Sequence, residues 1–92
     1  MKLEKYKVKM KQADLRNIPP CYLRNAIDAM PSLLREIIRS AASSEEGDKF
    51  KFGDGYVKVS SDAVVEIHGL TPVEKERILS KLKIFDVQQI EP

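Results

Sequence analysis

His68 is the chain's single histidine, and Glu66 stands two residues before it in "AVVEIH", on the same side of an extended segment. A histidine oriented by a carboxylate can serve as a general base, or bind a metal if it has companions. Here there is no second histidine, and Cys21 is the single cysteine. That leaves no nucleophile–base pair, no cysteine-based zinc set and no internal disulfide. "GDG" at Gly53 to Gly55 lacks the following Lys and Ser or Thr that a phosphate loop needs, so it reads as a turn. Neither catalysis nor a resident metal or cofactor is expected. The chemistry points to binding.

The most regular charged pattern is "EKYKVKMK" from Glu4 to Lys11, where Lys5, Lys7, Lys9 and Lys11 alternate with Tyr6, Val8 and Met10. Period two predicts a strand with one apolar face and one lysine face. The lysine face is expected either to be solvated and guard an edge against aggregation, or, with Arg16, to bind nucleic acid. Acids collect later: Ser43 to Leu70 holds Glu45, Glu46, Asp48, Asp54, Asp62 and Glu66 against Lys49, Lys51 and Lys58.

These residues need elements to position them. "ADLRNIPP" reads as a connection, with Pro19 and Pro20 suited to a helix's first turn. Leu23, Ala26, Ile27, Met30, Leu33, Leu34, Ile37, Ile38 and Ala41 then recur at steps of three and four, which predicts an amphipathic helix facing the core. Pro31 interrupts it on the polar side. A kinked, continuous helix is expected, with two helices meeting at Met30 as the alternative. "ASSEEGD" reads as a loop, and "KFKFGDGYVKVS" as a hairpin whose Phe50 and Phe52 share one face. "AVVEIH" is a further strand, Val65 and Ile67 opposite Val64, Glu66 and His68.

"GLTPVEKERILSKL" carries the sharpest local signal. Thr71 as N-cap, Pro72 behind it and Glu74 three residues after the cap form a capping box, and Ile78, Leu79, Leu82 and Phe85 follow on one face. The tail from Ile84 to Pro92 is consistent with a last strand. The expected fold is therefore α+β, a two-layer sandwich of βαββα order, or ferredoxin-like βαββαβ if the tail pairs. Its first strand should lie near the middle of the sheet.

Ninety-two residues with 42% apolar and 33% charged content describe one globular domain at a net charge of +2. No run approaches the roughly 18 apolar residues of a membrane span, and no signal-peptide core is visible. Together with the lone cysteine this leads one to expect the cytoplasm of a bacterial or infected cell.

"IPPCYLRNAIDAMPSLLREII", "YVKVSSDAVVEIHG" and "TPVEKERILSKL" resemble the layout of the DinI-like proteins over most of Ile18 to Leu82. The closest correspondence is the strand ending at Gly69, the Thr71 cap, and Glu74, Lys75, Ile78 and Leu79 behind it. That family consists of small bacterial, plasmid and phage-borne modulators of the RecA recombinase filament in the DNA-damage response. The resemblance implies a non-enzymatic regulatory module, phage- or mobile-element-borne, with a RecA-type filament as partner. The family's closing helix is acidic toward its end, whereas Lys81 and Lys83 stand there in this chain.

Candidate partner-binding residues are Glu74, Glu76, Arg77 and Lys81 on that helix, or the acidic patch of Glu45, Glu46 and Asp48. The alternative function is nucleic-acid binding through Lys5, Lys7, Lys9, Lys11 and Arg16. Homodimerisation by edge-strand pairing is compatible with both.

Overall fold

In the computed structural model, which describes residues 3–91, six strands form one antiparallel sheet with helices on one side. Met1, Lys2 and Pro92 lie outside the described residues. The elements are β1 (Leu3–Lys9), α1 (Gln12–Arg16), α2 (Pro20–Ala41), β2 (Ser44–Glu46), β3 (Lys49–Phe52), β4 (Gly55–Val59), β5 (Val64–His68), α3 (Pro72–Lys81) and β6 (Asp86–Glu91). The spatial order is β2-β3-β4-β5-β1-β6. A βαββαβ frame runs through β1, α2, β4, β5, α3 and β6. The tail does pair, as β6 on β1, and β1 lies between β5 and β6 as expected.

Alternation sets the faces. Tyr6 and Val8 of β1, Phe50 and Phe52 of β3, Val57 and Val59 of β4, and Val65 and Ile67 of β5 are all buried. They meet Met30, Leu34 and Ile38 of α2 together with Ile78, Leu82 and Phe85, and no charged residue is buried among the described residues. Phe50 and Phe52 are thus core residues.

Three expectations need correction. "ASSEEGD" is not a plain loop, because Ser44–Glu46 forms β2, which turns through Gly47 and Asp48 onto β3. Gly47 and Gly53 both have positive φ, 62° and 58°, and each opens a two-residue Gly-Asp turn of the kind that suits the twist of a tight hairpin. The inserted β2–β3 hairpin widens the frame on the β4 side. Second, β1 stops at Lys9 because the connection contains α1, for which Lys11 is the N-cap. Lys11 and Arg16 therefore stand off the sheet.

Third, α2 is one helix through Pro31, but only its second half faces the core. Leu23 and Ala26 are half-buried, and Ile27 and Leu33 are exposed, although all belong to the predicted apolar stripe. For the residues before Met30 the cause is length. Twenty-two residues make a helix of ~33 Å at 1.5 Å per residue. The seven residues of β1 reach only ~23 Å at about 3.3 Å each. The helix outruns the sheet, and Met30 is its first buried residue.

The capping box of α3 forms as expected: Thr71 Oγ1 accepts from the Glu74 backbone N–H at 3.3 Å, and a Glu74 carboxylate oxygen accepts from the Thr71 N–H at 3.1 Å. At Gly55 the backbones of β4 and β5 come too close for any side chain. A methyl there would overlap the His68 carbonyl oxygen and lie 2.6 Å from the Gly69 carbonyl carbon. Gly55→Ala is expected to destabilise the fold by about 1–3 kcal/mol, as overpacking against rigid backbone does. In thermal melts this is a fall of ~4–8 °C per kcal/mol for a domain of this size, and an unchanged midpoint would contradict the close approach.

Candidate functional site

The helix candidates divide by role. Glu74 is half-buried, committed to the capping box, and leans over the β3–β4 turn, where a methyl at Gly53 would lie 3.1 Å from its carboxylate. Glu76, Arg77 and Lys81 are exposed beside Val73, and with Pro72 and Ser80 the first two border a shallow depression.

The acidic patch does not form a single surface. Glu45, opposite Phe50 in register, takes the helix side of β2 and pairs with Arg39 at 2.8 Å. Arg39 also contacts Glu36 and lies 5.7 Å from the Phe50 ring centre. The hydrogen bond from Arg39 holds the Glu45 carboxyl below the usual carboxylate range. Glu46 and Asp48 turn instead toward Lys51, at 4.0 Å, and Lys58, at 3.7 Å.

On the sheet's other face the registers bring together lysines that lie far apart in sequence. One cross-strand row reads Glu46, Lys49, Lys58, Glu66, Lys5; the next reads Ser44, Lys51, Tyr56, His68, Leu3. Lys7 follows beside Val64 and Gln88, and Lys9 beside Asp86. Six lysines thus share a face with the carboxylates of Glu46, Glu66 and Asp86. Sequence reading found the β1 lysines but left Lys49, Lys51 and Lys58 unassigned. Their alternation with Phe50, Phe52, Val57 and Val59 was the available signal.

His68 stacks on Tyr56 within this face, ring centres 4.3 Å apart and planes 12° from parallel. Its Nε2 is shielded from solvent and lies 3.5 Å from a Glu66 carboxylate oxygen without forming a hydrogen bond. Lys49 covers the Tyr56 ring at 4.8 Å. Among the described residues no group of three His, Cys, Asp or Glu side chains is placed to hold a metal ion.

A second open surface lies where α2 leaves the sheet. Val8, Met10, Leu15, Ile27, Met30 and Ala63 line a groove of about 650 Å³, with Asp28, Asp62 and Asp86 among its polar borders. Tyr22 and Ile27 on the overhanging turns are 60% and 55% exposed. The groove is apolar because the helix keeps its core pattern beyond the point where the core ends.

Comparison with family models, with curated proteins and with solved structures gives no match for this chain. No helix among the described residues is long and apolar enough to cross a membrane.

Between sheet and α3 lies a small polar cluster. Glu4 accepts from Tyr6 Oη at 2.8 Å and from Lys75 Nζ at 3.0 Å, joining β1 to the closing helix. Burial, then the Glu4 hydrogen bond, raises the Tyr6 pKa; the Glu4 hydrogen bond raises that of Lys75. Both groups hold their protons more tightly folded than unfolded. Their contribution is therefore present at neutral pH and lost as pH climbs above about 10, where the free side chains titrate. Urea melts from pH 8 to 11 should show stability falling at the alkaline end. Glu4→Gln should lower neutral-pH stability by about 1–2 kcal/mol and make that fall shallower. An equally steep fall in the variant would remove Glu4 from the account.

Proposed function

We propose that this chain is a non-enzymatic, protein-binding regulatory module that docks through the overhanging half of α2 and the groove beneath it. The observation that carries the reading is the open groove whose apolar wall is formed by Val8, Met10, Leu15, Ile27, Met30 and Ala63, with Ile27 55% exposed at its border. Contiguous exposed apolar area with a polar border is what protein interaction sites present, whereas scattered apolar residues are ordinary. The shape suits an apolar helix face or side-chain anchor from a partner, read by Met10, Leu15 and Met30.

The DinI-like resemblance makes a RecA-type recombinase filament the first partner to test. The βαββα part of that layout corresponds to β1, α2, β4, β5 and α3. The family's acidic closing helix is thought to imitate the DNA phosphate backbone; here Lys81 ends α3 and Lys83 stands just beyond it, the wrong charge for that role, which favours α2 over α3 as the docking element.

Binding to an immobilised RecA–single-stranded-DNA filament tests this. Wild-type chain should bind at moderate salt, and Ile27→Glu should weaken binding about tenfold or more, the loss expected on charging a central apolar anchor. Its thermal midpoint should stay near wild type because Ile27 is already exposed. The contrary result is wild-type affinity in Ile27→Glu together with loss in Arg77→Glu, which would move the docking surface to α3.

A further inference from the structure

The open face of the sheet has a property that protein docking through α2 does not explain. Lysines on strands are commonly a guard against edge-to-edge pairing. Here Lys5, Lys7 and Lys9 are on β1, Lys58 on β4, and Lys49 and Lys51 on β3, all interior strands. The edge strands β2 and β6 put Glu46 and Asp86 on that same face. Edge protection therefore accounts for none of the six lysines.

We propose that this face binds single-stranded nucleic acid. The ion pairs of Lys51 and Lys58 are weak ones: the Lys51–Glu46 and Lys58–Asp48 separations are 4.0 and 3.7 Å, and both acids are 75% or more exposed. Exposed pairs of that kind contribute little, so a phosphate can replace the carboxylate partner. Among the described residues Glu66 is the one carboxylate in the middle of the face, and it is flanked by Lys58 and Lys5 in register as well as by His68.

Tyr56 supplies the aromatic platform. One side of its ring rests on His68, which fixes it, and the other is covered by the Lys49 ammonium. An exposed cation–π contact is weaker than the stacking of a base on an aromatic ring. A base therefore displaces Lys49, whose flexible stem can swing its charge onto the neighbouring phosphate. The row from Lys49 to Lys5 spans four strands, ~14 Å at about 4.8 Å per strand, a track for a few nucleotides. An open sheet face with a stacking ring reads unpaired bases; a duplex offers it only phosphates, because duplex bases are read by elements that enter a groove.

Fluorescence anisotropy of labelled oligothymidine and oligouridine, about twelve nucleotides long, tests the proposal, with a duplex of the same length as control. Expected is salt-sensitive binding of the single strands that exceeds duplex binding. Preference between the two probes distinguishes DNA from RNA, and either supports the proposal. Lys49→Gln with Lys58→Gln should reduce the slope of log affinity against log salt by about 1.4, and Tyr56→Leu should weaken binding about tenfold. Lys81→Gln with Lys83→Gln, outside the sheet, should change neither. The lysine pair keeps the test decisive if Tyr56→Leu proves unstable. Absence of binding at low salt, equal capture of duplex, or an effect of the Lys81/Lys83 pair matching that of the Lys49/Lys58 pair would overturn the assignment. Ile27 shares its groove with Lys7 and Lys9 but not with Lys49, Lys58 or Tyr56, so the effects of substituting these three and failure of filament docking are separable.

Discussion

One-sided burial of an antiparallel sheet governs this molecule. Two helices cover one face only, so β1, β3, β4 and β5 send their buried apolar residues the same way, and the alternation of the chain then dictates what the other face presents. A register slip of a single residue would exchange Phe50 for Lys49 or Val57 for Lys58, which costs far more than any alternative turn could return. The lysine face is thus fixed as firmly as the core, although none of its members contributes to burial.

The second constraint is the mismatch between α2 and the sheet. A helix that stopped where the sheet stops would begin near Met30, and Pro31 stands one residue beyond that point. Pro31 has no N–H to donate to the Ile27 carbonyl, so the intrahelical ladder is interrupted where tertiary cover begins. The first half of α2 is held by its continuity with the second half, by Leu23 and Ala26, and by the border it shares with α1. Segments with few buried contacts are where local opening is easiest, and such segments are suited to adapt to a partner.

Much of this was legible in the residues. The capping box at Thr71 and Glu74 is a local signal that needs no tertiary context, and it formed as read. The parity of β1 and β5 and the single helix through Pro31 were legible for the same reason. What failed did so where the outcome depends on distant geometry. The apolar stripe of α2 predicted a core face from Leu23 to Ala41, but periodicity carries no information on how far the sheet extends beneath it. β2 is exposed at all three residues and thus has no hydrophobic alternation to betray it; the repeated Gly-Asp turn was its available mark. The Glu4–Lys75 contact joins positions 71 residues apart, beyond reach of any local pattern. Likewise, Tyr56 meets His68 only once β4 and β5 are in register.

Placing the docking surface on α2 assigns a use to the exposed apolar turns and frees α3 to act as the capped, Glu4-anchored brace of the fold. Backbone hydrogen–deuterium exchange, read peptide by peptide for the chain alone and with the RecA–single-stranded-DNA filament, tests this division most directly. In the free chain residues 20–29 should exchange well before residues 30–41, and the filament should slow exchange over 20–33 while leaving 72–81 unchanged. Uniform protection of α2 in the free chain, or protection gained over α3 alone, would contradict it.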